Sequence, residues 1–212
     1  MKSKFHPALV DKVVEDYRLV CYSHFGSDDD TLFPNIDRNG HVHNVKLQRY
    51  ETDRRSERFF HADKKYTYWM GTIWKKEGRI PQDTQIDMDC LFGEHLLAER
   101  PNSDVVLVES PKNAVVGSAA SPQYIWLATG AKGMLTRERL LCLRNRHVIV
   151  IPDTDAIEDW RRLLNGMQDI ASFVISSLTD EIRKIGDKAD VADWVVETSP
   201  SPLALPRGGG SR

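Results

Sequence analysis

His147-Val148-Ile149-Val150-Ile151-Pro152-Asp153-Thr154-Asp155 is a run of aliphatic, mostly β-branched residues that ends in two carboxylates. A second run of the same kind, Val105-Val106-Leu107-Val108, leads straight into Glu109. Apolar runs without polar alternation suit strands covered on both faces, as in parallel sheets. In an open α/β sheet, ligands bind beyond the carboxyl ends of the strands. Glu109, Asp153 and Asp155 fall at that edge. Acids gathered in one place repel one another and are tolerated where a cation neutralises them. The pattern therefore points to a magnesium (or manganese) site on an α/β sheet.

The flanking sequence extends the reading. Pro111 to Ala120 is expected to be a helix, with proline early, where a missing N–H costs little. Tyr124-Ile125-Trp126-Leu127-Ala128 reads as a second strand ending in Thr129-Gly130, followed by a helix over Arg137–Leu143. Asp155 to Met167 is amphipathic, Phe173-Val174-Ile175-Ser176 is a fourth strand, and Val191–Val196 is a last helical segment. Such alternation predicts a parallel sheet with right-handed crossovers. Upstream, Ala8 to Tyr22 has helical spacing, and Asp28-Asp29-Asp30 reads as a loop. Asp37-Arg38-Asn39-Gly40 is a turn between the strands Leu32–Ile36 and Val42–Leu47, with another turn at Thr52–Arg55 and a strand at Tyr66–Met70. Asp89 to Leu97 reads as the entry to a linking helix. The expected architecture is α/β: a parallel sheet flanked by helices, preceded by a small α+β lobe with antiparallel strands. The boundaries are 1–98 for the lobe, 99–198 for the sheet domain and 199–212 for a disordered Pro/Gly/Ser-rich tail.

A chain of 212 residues, with 41% hydrophobic and 28% charged residues, has room for one full core or one domain plus a lobe. Cys21, Cys90 and Cys142 form no CxxC pair, which argues against a disulfide framework or a zinc ribbon. No stretch is apolar enough to span a membrane and the N-terminus has no signal-peptide core, so a cytoplasmic protein is expected. The net charge of −2 decides little, but basic residues outnumber acidic ones between Arg38 and Arg79. Lys46, Arg49, Arg54, Arg55 and Arg58 are the candidate nucleic-acid contacts, with Tyr50, Phe59, Phe60, Tyr66, Tyr68, Trp69 and Trp74 interleaved among them. Cations meet phosphates and aromatic faces stack on unpaired bases. The same period-two aromatics equally suit a meander whose rings face its own core. Both readings stay open.

Residues 104 to about 196 resemble the toprim domain shared by topoisomerases, bacterial-type primases and some nucleases. That family carries a glutamate after its first strand, a glycine-containing turn after its second and Asp-x-Asp after its third; Glu109, Gly130 and Asp153 with Asp155 match in order. Asp37 through Tyr50, together with Leu91-Phe92-Gly93-Glu94-His95, is similar to the lobe preceding toprim in phage and mobile-element primases. The chain departs from the pattern at Ser110, where a glycine is usual, at Asn113, where an acid is frequent, and at Ala156-Ile157. The resemblance implies primer synthesis in DNA replication, with magnesium or manganese held by Asp153 and Asp155, and with Glu109 either a further ligand or the general acid/base toward a ribose hydroxyl. Lys112, Gly130 and Lys132 would line the phosphate path. Single-stranded template, nucleotides and a replicative helicase would be the partners. The alternatives are a toprim nuclease and a non-catalytic replication accessory module. Either aspartate read alone is also a helix cap, Lys112 a solvated helix residue, and Asp190 a weak addition to the acidic edge. A dehalogenase-type phosphatase needs its Asp-x-Asp after the first strand, and no GxxxxGK[ST] loop is present.

Overall fold

The computed structural model describes residues 5–24, 27–52, 59–61, 67–87, 89–187 and 189–198. Its first helix, α1 (Pro7–Asp16), stops where Arg18 takes φ 51°, a left-handed conformation that no helix continues through. The chain then enters β1 (Val20–His24), so the helix expected to reach Tyr22 ends six residues early. A second correction follows. Ser27 opens the long strand β2 (Ser27–Ile36), which takes in the three aspartates expected to form a loop. β3 (Val42–Thr52) returns antiparallel after the expected turn, where Asp37 Oδ1 accepts from Asn39 N at 2.8 Å and His41 N at 2.9 Å and Gly40 sits at φ 87°. β4 (Phe59–His61) and β5 (Thr67–Trp69) both pair with β3, completing an antiparallel sheet of order β1-β2-β3-β4 with β5 also on β3. Residues 53–58 and the tail from 199 lie outside the described residues, and with them the expected turn at Thr52–Arg55 and the expected disorder of the tail.

Strand β3 is covered on both sides, but by different matter. Val45 and Leu47 join Met70, from α2 (Met70–Lys76), in a small cluster edged by Leu32, Tyr68, Ile73 and Trp74. Asn44, Lys46 and Gln48 alternate onto the opposite face, and all three are buried. Phe33, opposite Lys46 in the register, follows that face into the main core, where it meets Phe92 edge-on at 5.8 Å. Tyr17 stacks on the same Phe92 at 5.1 Å and donates its hydroxyl to the Trp126 carbonyl at 2.7 Å. Gly93 is at φ 82° with the Trp126 carbonyl 3.0 Å from where a Cβ would stand, so the linker before α3 (Leu96–Glu99) passes this point only as glycine.

The two runs that opened the reading are neighbours. β6 (Val105–Val108) lies between β7 (Ile125–Ala128) and β8 (His147–Ile151), and β9 (Ser172–Ile175) completes a parallel sheet of order β7-β6-β8-β9. Every residue of β6 and β7 is fully buried. α4 (Pro111–Ala120) matches its expected bounds, with Ser110 Oγ accepting from Asn113 N at 3.2 Å as cap. α5 (Arg137–Leu140) passes into a 3₁₀ turn at Leu141–Leu143. α6 (Ile157–Asn165), α7 (Leu178–Ile185) and α8 (Val191–Thr198) follow. Phe92 forms an isolated antiparallel bridge with Ala128, which fastens the lobe's exit to the β7 edge. One large cluster thus runs from Val13, Tyr17 and Phe33 through all four parallel strands. No helix among the described residues is long and apolar enough to cross a membrane.

Candidate active site

Register decides which side chains meet. Val108 pairs with both Ala128 and Ile151, so β6, β7 and β8 run out level and release Glu109, Thr129-Gly130 and Asp153 at one edge. Gly130 N donates to the Glu109 carbonyl at 2.8 Å, and Gly130, at φ 94°, turns the chain there. Arg139, read only as part of a helix, holds this turn from behind. It is buried, and its Nη1 donates to the Thr129 carbonyl at 2.6 Å and the Met134 carbonyl at 2.8 Å, while Nη2 reaches the Cys90 carbonyl at 2.6 Å.

The acids at this edge feel one another. Burial, then the charges of Glu109 and Asp190, push the Asp153 carboxyl up to about 7, with Lys112 working the other way. Burial and Asp155 also raise Glu109, against a hydrogen bond from the Lys132 main-chain N–H. Glu109 Oε2 is buried without a hydrogen-bond partner among the described residues. Neither aspartate caps α6: its N-cap is Ala156, with no side-chain cap bond. That removes the plain structural explanation for the pair.

Lysines stand against these acids. Lys112 Nζ is 2.6 Å from Asp190 Oδ2, both largely buried. Lys132 Nζ donates to the Asp155 carbonyl at 2.7 Å and lies 3.1 Å from Asp159 Oδ2 and 3.7 Å from Asp155 Oδ2. Among the described residues, no three His, Cys, Asp or Glu side chains are drawn into one ion-binding group. Glu109, Asp153 and Asp155, expected to share one cation, thus lie close enough to shift one another but are not gathered into such a group, while Asp190 and Asp159 join the edge through Lys112 and Lys132. The sequence flags Asp190 only weakly, and nothing local marks Asp159, whose partner is 27 residues away in sequence in the turn after β7.

From the lobe, Lys46 reaches across to donate to the Gly130 carbonyl at 3.0 Å, and its ammonium lies over the Trp69 ring at 5.9 Å. Burial lowers its pKa, and the charge of Glu109 opposes that shift. Arg49 turns elsewhere: Nε and Nη2 clasp the buried Asp30 carboxylate at 2.7 and 3.1 Å. Of the five basic residues expected to touch nucleic acid, then, one faces the acidic edge and one is held in a bidentate ion pair. Arg54, Arg55 and Arg58 lie outside the described residues. Tyr68 and Trp74 pack at the lobe's own core, as the plainer reading of the aromatics anticipates.

The architecture has known counterparts. The primase fragment of the bacteriophage T7 primase-helicase protein superposes with a TM-score of 0.50 at 13% identity, over 83% of this chain and 66% of that one. A chain from the structure of the bacteriophage T7 lagging-strand DNA polymerase interacting with primase domains bound to an RNA/DNA hybrid and dTTP gives 0.51 at 13% identity, over 91% and 88%. At such identity the likeness is one of fold, and the fold is primase-like. No curated protein matches the sequence. The family described as "Domain of unknown function (DUF6371)" matches residues 1–154. That match spans all of the lobe and the sheet domain as far as Thr154, more than half of the chain, and the chain belongs to this family.

Proposed function

We propose that this chain is a primase-like toprim protein of a phage or mobile element that performs magnesium-dependent (or manganese-dependent) nucleotidyl transfer on nucleic acid. One observation carries the reading: β6 and β8 end level and release Glu109 and Asp153 at one edge, and neither Asp153 nor Asp155 caps the helix that follows. The donor set fits a hard divalent cation, being all carboxylate, with a buried Glu109 oxygen that has no hydrogen-bond partner among the described residues. Asp153, Asp155 and Glu109 would hold the ion, whose chemistry is to bind phosphate oxygens and stabilise charge developing on them. Glu109, raised by burial and Asp155, is the group suited to take a proton from an attacking ribose hydroxyl. Lys46 and Lys132 supply positive charge beside the Gly130 turn, where a phosphate chain would lie. The RNA/DNA hybrid and dTTP named for the T7 structure support nucleic acid and nucleotides as ligands here, the primase-helicase name supports a helicase partner, and single-stranded template is the form of nucleic acid we propose.

A non-catalytic accessory role is the second reading, favoured by the ion pairs that Lys112 and Lys132 already make with the acidic edge. Incubation with labelled nucleotides, single-stranded template and magnesium separates the two. Short labelled products are expected, with Asp153→Asn lowering their yield at least a hundredfold while the circular dichroism spectrum is unchanged. Salt-sensitive template binding without product would establish the accessory role instead. Degraded template in the absence of nucleotides would indicate a nuclease.

A further inference from the structure

The chain has five tryptophans, and the fold absorbs four of them. Trp126 and Trp160 are wholly buried in the main core, Trp194 packs against that core and Trp74 against the lobe's cluster. Trp69 joins neither cluster and is half-buried. Its ring stands partly open beside the Lys46 ammonium, outside both apolar clusters of the described residues.

Its placement follows from the strand register. Trp69 is paired with Lys46 across the β5–β3 ladder, and paired residues share a face. That face is the one from which Lys46 reaches the Gly130 carbonyl, and the Gly130 amide in turn donates to the Glu109 main-chain carbonyl. Thr67 pairs with the buried Gln48 on the same face, which puts polar side chains next to the ring. The Lys46 ammonium covers one side of the indole, attracted by the ring's negative face. A cation on one side of an aromatic plane leaves the other for a flat, electron-poor partner, and a nucleobase is such a partner.

We infer that Trp69 is a stacking platform for a nucleobase, set on the lobe beside Lys46, which bridges to the Gly130 turn of the acidic edge. The phosphates of the same nucleotide then point past Lys46 toward Gly130 and Glu109. This rests on the nucleic-acid reading of that edge and adds to it the group that recognises the base. Stacking is tolerant of base identity, because every base has a π-face. The site therefore admits purines and pyrimidines alike and discriminates weakly between them.

The test uses the full chain, magnesium and two probes: a nucleoside triphosphate, and a fluorescein-labelled single-stranded oligonucleotide followed by anisotropy. Indole emission is read in parallel. Stacking should quench the wild type, and the quench should vanish in Trp69→Phe, since the remaining tryptophans lie in or against the cores. Affinity should fall about tenfold in Trp69→Leu and recover to within about threefold in Trp69→Phe, which keeps a ring. Loss confined to the triphosphate identifies an incoming nucleotide as occupant; loss confined to the oligonucleotide identifies a template base. Equal affinity in wild type and Trp69→Leu for both probes, with near-ultraviolet circular dichroism showing both folded, overturns the platform but leaves the proposed function standing. Binding that depends on Trp69 without any product in the synthesis assay has the opposite meaning: the platform holds and the enzymatic reading falls. Failure of the wild type to bind either probe removes both.

Discussion

At Asp153 the surroundings set the chemistry, and they do so with a measurable sign. Its carboxyl is raised above the ordinary 3.8 to about 7, first by burial and then by Glu109 and Asp190. A carboxyl raised in the fold favours folding fully below its unfolded-state value, and that contribution is lost as pH rises through the folded one. Urea unfolding should therefore show stability declining between about pH 4 and pH 7. Asp153→Asn should flatten the decline and exceed wild type by on the order of 1–2 kcal/mol at about pH 8. Parallel pH profiles for the two proteins would show that the acids do not interact as described. The same residue was legible in the sequence because a strand-end Asp-x-Asp after an apolar run leaves few structural explanations. Lys46 and Arg49 were legible only as cations. Three residues apart on β3, they point to opposite faces, so one meets the acidic edge and the other the buried Asp30.

Helix α4 shows how an element carries constraints that its own sequence hides. Its start was readable from Ser110-Pro111, a cap followed by a residue suited to the first turn. All of its residues except Lys112 are buried, because α1, α8 and β7 pack around it. Gly117 faces Trp126, and a Cβ there would stand 2.4 Å from the indole ring. Gly117→Ala should therefore destabilise the protein by about 2 kcal/mol, although alanine favours helices by roughly 1 kcal/mol over glycine. Denaturant midpoints decide the matter, and a stabilised variant would mean that the ring shifts freely. Asn113, where the resemblance leads one to expect an acid, accepts from Ala192 N at 3.3 Å and so pins the start of α8. The elements missed in the sequence share a cause. β1 follows α1 after three residues, and α2 follows β5 with no turn or capping residue between Trp69 and Met70, so periodicity ran one element into the next.

For the whole molecule, the decisive fact is that the lobe and the parallel sheet are filled from one core. Val13, Tyr17, Phe33, Leu91 and Phe92, all before residue 99, close the cluster built on β6, β7 and β8. A fragment of residues 99–198 should thus lack the cooperative unfolding transition of the full chain. Calorimetry of both checks this, and a sharp transition in the fragment would show that the sheet domain stands by itself. The shared core also keeps Lys46 against the edge that bears Glu109, with Trp69 paired to it across the ladder. By itself, the sequence determined the parallel sheet, its crossovers and the edge to which the three acids belong, because apolar runs and strand-end carboxylates are local signals that survive any packing. The tertiary structure alone decided which lysines stand against those acids, that Arg49 is taken by Asp30 and that Trp69 is left over from both cores. Those outcomes depend on which faces of distant strands come together, and no window along the chain contains both partners.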